Sequence, residues 1–275
     1  MEANFSESQL QQAVNTSLVF FISQETGEHP FVHVPSLFYE KELGWDSALY
    51  LPWLESYAPH EKHEGCNFFI QYKLSELLTT TSAREWGCWG GKYFRFCIPH
   101  FTIGEKEKYI DDYHQWDCLK KLADDGYPTY YATNSTLNKN ELIKSYNSGK
   151  LIHETPFLDV RKIHMKHKHV TFTKDSSYFK LHSEIEQTER ARLETEIKMA
   201  MDDTTYSLTE FISGLSHLLR EIGGDNKLWH DDLFNIRKMD NNNIPKSLRT
   251  WRQYLLLTSF VRKHIGAEMI WIPKK

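Results

Sequence analysis

The sequence predicts an α/β fold in which helices flank a mixed central sheet, followed by a helical C-terminal region, and three observations support this class. Residues 1–180 alternate apolar segments of strand character with amphipathic segments, in the order strand, strand, strand, helix, strand. Residues 181–275 carry helix-start signals and apolar stripes of helical spacing. A chain of 275 residues, 40% of them hydrophobic, can bury a sizeable core. We therefore expect an α/β domain over residues 1–180 and a helical region over residues 181–275.

Four segments of the first part have the composition of β-strands, namely residues 45–51, 67–74, 93–98 and 127–133. The clearest is the second, in which Phe68, Ile70 and Tyr72 alternate with Gln71 and Lys73. Alternate side chains of a strand point to opposite faces, so Gln71 and Lys73 should project together. An amide and an ammonium group are costly to bury without partners, so the face should open into a cleft or both groups should be paired, and we expect the cleft.

Helices are predicted beside these strands at residues 36–44, 111–125 and 139–146. Ser36 is a suitable N-cap and Gly44 a suitable C-terminal stop for the first of them. The second carries apolar residues three to four apart and ends at Gly126.

In the C-terminal region, Ser207 and Glu210 form a capping-box pattern. An apolar stripe of helical spacing follows and stops at Gly223. A polar loop then precedes a last helix over residues 247–266. We expect these helices to form a packing or partner-binding layer, which could bind another protein or a second copy of the chain.

Charge and cysteine usage exclude some classes of protein. A net charge of −4 and a pI of about 6.4 argue against a protein that coats nucleic acid non-specifically, but allow an enzyme with a local basic groove. The four cysteines contain no Cys-x-x-Cys pair, which argues against a zinc ribbon. The N-terminus lacks a signal sequence, and the apolar run at residues 18–22 is too short to span a bilayer. We expect reduced thiols, a cytoplasmic location and no membrane association.

The chemistry-bearing residues lie between the first predicted helix and the strand at 67–74. Hydrolysis of a phosphodiester needs a metal ion that binds the phosphate and activates water, together with a nearby cation. Asp46 can supply a carboxylate ligand for Mg²⁺, and the Gln71 side chain and the main-chain carbonyl of Tyr72 can add oxygen ligands. Lys73 can orient the water or pair with a phosphate oxygen. Glu42 can join as a ligand or as a neighbour of one.

This pattern of Glu, Gly-x-Asp, an apolar strand and Gln-x-Lys resembles the PD-(D/E)xK nuclease superfamily, in the branch of the Mrr-like type IV restriction endonucleases. The resemblance matches Asp46 to the metal-binding aspartate, Gln71 to the middle position and Lys73 to the catalytic lysine. It also matches Glu42 to a helix-borne glutamate and Gln115 to a helix glutamine of such nucleases. It implies a restriction-endonuclease-like fold, cleavage of DNA with Mg²⁺ or Mn²⁺, and a role in prokaryotic defence.

The resemblance covers about residues 35–135 and departs from the family pattern in two ways. No proline immediately precedes Asp46. The long loop before the Gln-x-Lys strand contains Glu55, Glu61 and Glu64, each of which could be the acidic ligand instead.

A basic segment at residues 161–169 is a second candidate for contact with nucleic acid. Its positive side chains, Arg161, Lys162, Lys166 and Lys168, could bind phosphates, and an edge strand whose lysines discourage pairing is an equal alternative.

The histidines of this segment and an aromatic turn carry weaker signals. His164, His167 and His169 could form a metal site, but no acid or cysteine completes a familiar spacing. The turn at residues 86–91 could stack on bases or simply bury its tryptophans.

Three functions remain open from the residues alone. The first is a metal-dependent DNA endonuclease. The second is an inactive nuclease-like subunit that binds nucleic acid or serves in assembly, because the neutral amide of Gln71 leaves Asp46 as the one placed acid. The third is an RNA-cleaving toxin.

Overall fold

The computed structural model describes residues 1–26, 64–103, 109–203, 206–238 and 246–273. The predicted helix at 36–44 and strand at 45–51 lie outside the described residues. The chain divides into a first unit of residues Met1–Leu18 and Phe69–Ile197 and a second unit of residues Val19–Phe68 and Lys198–Lys275. Helices combine with one mixed sheet and with antiparallel sheets, so the predicted α/β class is confirmed. The predicted division at residue 180 stays a prediction.

The described elements are, up to the middle of the chain, α1 (Glu7–Thr26), β1 (Glu64–Lys73), β2 (Glu76–Leu78), α2 (Trp86–Trp89), β3 (Tyr93–Cys97), β4 (His100–Ile103), β5 (Tyr109–Asp112), α3 (His114–Asp124), β6 (Thr129–Thr133), α4 (Lys139–Asn147) and α5 (Leu151–Glu154). They continue with β7 (Phe157–Asp159), a 3-10 helix (Val160–Lys162), β8 (His169–Phe172), β9 (Tyr178–His182), β10 (Glu186–Glu189), α6 (Leu193–Asp203), β11 (Tyr206–Ser207), α7 (Leu208–Gly223), α8 (Lys227–Lys238), α9 (Lys246–Ile265) and β12 (Glu268–Pro273). The strands predicted at 67–74, 93–98 and 127–133 and the helices predicted at 111–125 and 139–146 are confirmed as β1, β3, β6, α3 and α4.

Strand β1 carries the Gln-x-Lys pattern and pairs in parallel with β6. Helix α3 lies between the two strands in the chain, as the crossover of a parallel pair requires. On its other side, β6 pairs with β7 in the antiparallel sense. Every residue of β1 after Glu64 is buried, so the strand has no open face. The expectation of an open cleft at Gln71 and Lys73 is therefore wrong, because this strand is covered on both faces, as is usual where helices flank parallel strands.

Helix α3 begins three residues later than predicted because residues 109–112 form a strand. Strand β5 pairs with β4 in a two-stranded antiparallel sheet that brings His100 opposite Asp112. The helix then starts at His114, whose backbone N–H donates to Asp112 Oδ1 at 2.8 Å.

A second, antiparallel sheet of the first unit has the strand order β10-β9-β8-β3-β2. One face is apolar and buries Phe94 and Phe96 of β3 and Val170 and Phe172 of β8. Residues 161–168 contain a 3-10 turn and no strand, and only His169 belongs to β8, which lies between β9 and β3, so the reading of residues 161–169 as an edge strand is wrong. Strand β10 pairs with β9 in the antiparallel sense at one edge of this sheet.

Helix α1 was not predicted, although its signals are present in the sequence. Ser6 and Gln9 form a reciprocal cap, with Gln9 N–H donating to Ser6 Oγ at 3.2 Å and Ser6 N–H donating to Gln9 Oε1 at 3.1 Å. Four buried apolar residues follow at intervals of four, namely Leu10, Val14, Leu18 and Ile22. This spacing keeps one face of the helix apolar along its length.

The second unit is built from helices and short strands. Helix α7 starts with the predicted capping box between Ser207 and Glu210, and its apolar stripe is buried. Trp229 of α8 is fully buried and donates its ring N–H to Leu219 O at 2.6 Å. Strands β11 and β12 both pair with β1, so the region predicted as helical also contains strands. Within the described ranges, no helix is long and apolar enough to cross a bilayer.

Candidate active site

Four polar side chains of the first unit meet at the end of β1. Gln71 donates from Nε2 to Gln115 Oε1. Lys73 Nζ lies 2.8 Å from His100 Nε2. The same ring nitrogen of His100 also contacts Gln115 Oε1. The structure therefore brings together Gln71, Lys73 and Gln115, which the sequence singled out, and adds His100.

The surrounding elements explain why these side chains converge. Gln71 and Lys73 share one face of β1. Gln115 lies in the first turn of α3, and His100 is the first residue of β4. Because β5 pairs with β4 and leads directly into α3, the residues at positions 100 and 115 reach the same end of β1.

The cluster runs from the interior to the surface. Gln71 and Lys73 are 3% and 7% exposed, Gln115 is half-buried and His100 is exposed. Solvent therefore reaches the cluster from the side of His100.

Burial dominates the electrostatics of the cluster. It lowers the pKa of Lys73 to about 8, and the acidic groups of Glu7 and Cys97 act in the opposite direction. Burial and the nearby Lys73 ammonium also lower the pKa of His100, against the effects of Gln115 and Asp112. At neutral pH an ammonium group therefore lies beside an uncharged imidazole.

One atom of the cluster lacks a partner. Gln71 Oε1 is buried and accepts no hydrogen bond from the residues that the structure describes. Leaving such an acceptor unpaired costs about 1–3 kcal/mol. Turning the amide over would only exchange this acceptor for an unpaired NH₂ group. The buried amide oxygen therefore keeps its capacity to accept a hydrogen bond or to bind a cation.

A divalent ion fits part of this arrangement. The amide oxygen of Gln71 is a hard ligand of the kind that Mg²⁺ accepts. Asp46 and Glu42, and with them Glu55 and Glu61, lie outside the described residues, so their match to the site stays a prediction. Across the described ranges, no three His, Cys, Asp or Glu side chains come together as a metal-binding group.

Two further predicted oxygen ligands, the main-chain carbonyl of Tyr72 and the alternative acid Glu64, also lie on β1. The Phe69 N–H donates to Pro128 O, so residues 69, 71 and 73 bond toward β6 and the Tyr72 carbonyl points away from it. The Tyr72 hydroxyl donates to Asn15 Oδ1 at 2.6 Å. Glu64 is the exposed first residue of the strand.

Glu7 is an acidic neighbour of the cluster that the sequence analysis missed. It lies in the first turn of α1, where desolvation raises the pKa of its carboxyl group. The Lys73 ammonium and the backbone N–H of Leu74 act against that rise. The cap at Ser6 could have located this helix, but local sequence could not place its first turn beside β1.

The basic segment at residues 161–169 contains one arginine that is held within the fold and three lysines at the surface. Arg161 donates to Asp159 and Glu196 at 2.8 and 2.9 Å and to the Tyr130 hydroxyl at 2.9 Å, so its guanidinium group is held within the fold. Lys162 is exposed.

The other two lysines form surface ion pairs. Lys166 pairs with Asp117, and Lys168 pairs with Asp111, each at 2.8 Å. Exposed pairs of this kind are weak, so these lysines keep the ability to bind a phosphate.

The remaining sequence features have structural roles. His167 is fully buried with Nε2 2.9 Å from Glu186, and His169 Nδ1 lies 3.2 Å from Glu85. Residues 86–89 of the aromatic turn form the short helix α2. Trp89 stacks on Tyr178 at 5.4 Å and donates to Thr171 at 2.9 Å, so this ring packs against the second sheet.

Comparison with known proteins assigns no family to this site. No protein-family model, curated protein or solved structure matches the chain.

Proposed function

We propose that this protein is a metal-dependent endonuclease of the restriction type that hydrolyses DNA phosphodiester bonds with Mg²⁺ or Mn²⁺. The observation that carries the proposal is that Gln71 and Lys73 are linked through Gln115 and His100, while the buried Gln71 Oε1 has no hydrogen-bond partner among the described residues. Buried polar atoms in folded proteins nearly always have a hydrogen-bond partner, so this unpaired amide oxygen favours a ligand at the site.

The connection of the strands supports the finer assignment to a restriction-endonuclease-like fold. Helix α3, which bears Gln115, leads into β6, the parallel partner of the Gln-x-Lys strand, and β2 to β5 with α2 lie between β1 and α3 in the chain. A glutamine on a helix followed by a strand is what the resemblance implies. Side chains at the carboxyl ends of parallel strands are well placed for a ligand.

Each residue of the site has a separate role in the proposed hydrolysis. A bound Mg²⁺ or Mn²⁺ supplies a Lewis acid and a water of lowered pKa. Asp46, the Gln71 amide and the Tyr72 carbonyl would hold it. Lys73 offers a positive charge to the phosphate in a poorly hydrated site, where an electrostatic interaction is stronger than in water. Gln115 orients the Gln71 amide through its hydrogen bond.

Plasmid cleavage tests the proposal directly. The full chain is incubated with supercoiled DNA and Mn²⁺ or Mg²⁺, beside Lys73→Met and the control Lys144→Met, which removes an exposed lysine of α4. We expect cutting by the wild type and the control, and at least a hundredfold loss in Lys73→Met. Equal cutting by both variants would remove Lys73 from the mechanism. The same incubation with an RNA substrate tests the alternative of an RNA-cleaving toxin, which would cut RNA and leave the plasmid intact.

The second candidate is an inactive nuclease-like subunit that binds nucleic acid or takes part in assembly. The burial of Gln71 and Lys73 favours it, because a closed site limits access of a DNA strand. Calorimetric titration of Mn²⁺ into wild type and Asp46→Ala separates the two readings. Heat of binding in the wild type alone supports the enzyme, and no heat in either protein supports the inactive subunit.

Biological setting and partners remain predictions of the resemblance and of the C-terminal helices. A role in prokaryotic defence follows only if the chain cuts DNA. Binding of a protein partner or a second copy through α7 to α9 can be measured by light scattering of the full chain.

A further inference from the structure

Beyond His100, the exposed end of the candidate site, lysine side chains lie over aromatic rings at the surface of the first unit. Phe101 follows His100 on β4 and is 54% exposed. Lys168 Nζ lies 5.5 Å from the centroid of the Phe101 ring. In the same way, Lys166 Nζ lies 5.3 Å from the centroid of the Tyr113 ring. Phe101, Tyr113, Lys166 and Lys168 together are named the aromatic-basic patch.

The chain connections place this patch directly beside the candidate site. Phe101 is the register partner of Asp111, so these two side chains share one face of the β4–β5 ribbon, and His100 points to the other face. Tyr113 follows the ribbon and comes two residues before Gln115. The patch and the site therefore use the same two segments of chain, residues 100–101 and 113–115, and a strand bound to one lies within reach of the other.

The lysines of the patch are held by carboxylates that a phosphate can replace. Lys168 pairs with Asp111 and Lys166 pairs with Asp117, each at 2.8 Å. All four side chains are between 31% and 52% exposed, so water screens the attraction within each pair. A phosphate oxygen can accept the same hydrogen bond from each amine while the released carboxylate turns toward water. The pairs also hold the amines beside the rings before a ligand binds, which lowers the entropy lost on binding.

A DNA strand with unpaired bases matches this combination of groups. An exposed ring offers a face on which a base can stack, and a neighbouring amine can bind the phosphates that flank that base. In a duplex the bases stack on one another and present only their edges in the grooves, so a phenylalanine ring meets no free base face there.

We propose that the aromatic-basic patch binds an unpaired segment of DNA beside the candidate site, with the Phe101 ring stacked on a base and Lys166 and Lys168 bound to phosphates. This inference rests on the proposed function and names its substrate class, DNA that is single-stranded next to the bond that is cut. Negative supercoiling favours opening of a duplex, so a supercoiled plasmid still offers this substrate. Phe101 and both lysines reach the surface, so a strand can bind them without any opening of the core.

Substitutions of Phe101 test the stacking contact. Phe101→Leu removes the ring and keeps an apolar side chain, and Phe101→Tyr keeps the ring. The matched control Phe20→Leu removes a ring of α1 that is 60% exposed. Affinity of the full chain for a short fluorescein-labelled single strand, and for the corresponding duplex, is measured by fluorescence anisotropy in EDTA, where no metal-dependent cutting occurs. Thermal unfolding is measured in the same buffer, and plasmid cleavage with Mn²⁺ is measured separately.

We expect the wild type to bind the single strand more tightly than the duplex. Phe101→Leu should bind the single strand about five- to tenfold more weakly, the loss typical of one base stacked on an aromatic ring. Phe101→Tyr and Phe20→Leu should bind as the wild type does. All three variants should unfold at the wild-type temperature, because both phenylalanines are exposed.

The salt dependence of binding tests the phosphate contact of Lys168. The double variant Lys168→Gln with Asp111→Asn removes the amine without changing the net charge. Each phosphate contact to a single strand contributes about 0.7 to the slope of log affinity against log salt concentration, so this slope should become shallower by about 0.7. The control Lys120→Gln with Asp124→Asn removes an ion pair of α3 outside the patch and should keep the wild-type slope. An unchanged slope in the Lys168 variant would overturn the contact.

The remaining outcomes separate this inference from the proposed function. Wild-type affinity of Phe101→Leu for the single strand, weak binding by Phe101→Tyr, or a wild type that prefers the duplex would each overturn the patch, while cutting by the wild type would leave the nuclease proposal standing. Weaker single-strand binding by Phe101→Leu in a protein that never cuts would support the patch and refute the nuclease. Absence of DNA binding by the wild type would overturn the patch, and an uncut plasmid as well would overturn both.

Discussion

Replacing Lys73 with methionine should stabilise the protein while it abolishes cutting. The pKa of this side chain falls from its ordinary value of 10.5 to about 8 because it is buried. Each factor of ten in that constant corresponds to about 1.4 kcal/mol, so burial of the ammonium group costs up to about 3 kcal/mol at neutral pH. Methionine fills a similar volume without a charge, but it also leaves Glu7 without its neighbouring cation. We therefore expect the free energy of unfolding to rise by about 1–3 kcal/mol at pH 7.

The pH dependence of this gain identifies its cause. Below pH 8 the lysine is protonated in both the folded and the unfolded state, so the whole cost of burial is present. Between pH 8 and 10.5 the folded state binds fewer protons than the unfolded state, and the wild type gains stability as the pH rises. The advantage of Lys73→Met should therefore shrink by about 2 kcal/mol between pH 7 and pH 9.5.

Urea unfolding followed by tryptophan fluorescence at these two pH values measures the effect, with Lys144→Met as the control for removal of an exposed lysine. A Lys73→Met protein that is less stable than the wild type at pH 7 would refute the reasoning. So would an advantage that does not change with pH. The same preparation serves the cleavage assay, so loss of cutting cannot be attributed to unfolding.

Three further substitutions test the packing around the site and in the second unit. Arg161→Met should lower the free energy of unfolding by about 3 kcal/mol, because the Asp159 carboxylate is 2% exposed and would lose its positively charged partner. Urea unfolding measures the change, and an unchanged midpoint would contradict a stabilising role of Arg161. Gly223→Ala should lower the free energy of unfolding by about 2 kcal/mol or more, because the added Cβ would lie 2.3 Å from Trp229 Cδ1. An unfolding temperature equal to that of the wild type, measured by calorimetry, would show that the Trp229 ring can move. Ser207→Ala should lower the free energy of unfolding by about 1 kcal/mol through loss of the capping box, as measured by thermal unfolding. Ser207→Thr, which keeps a hydroxyl group at this position, should be as stable as the wild type.

Local patterns predicted the elements that carry the candidate site, and non-local pairing decided the rest. Alternation over residues 67–74 and the stripe before Gly126 predicted β1 and α3, since both signals lie within one segment. The second sheet was largely missed because its strands are short and depend on neighbours far away in the chain. Helix α1 was missed although Ser6 and Gln9 mark its start.

The sequence by itself determined which residues could share a face, because the two-residue period of a strand places Gln71 and Lys73 together. It also predicted the helix that stops at Gly126 and the strand that follows it. Only the tertiary structure decided that this face is buried, that His100 and Gln115 close over it, and that Tyr131 lies next to Gln71. The physical reason is that burial and hydrogen-bond partners depend on which distant segments of the chain pack together. The pattern of residues within one segment does not specify those distant partners.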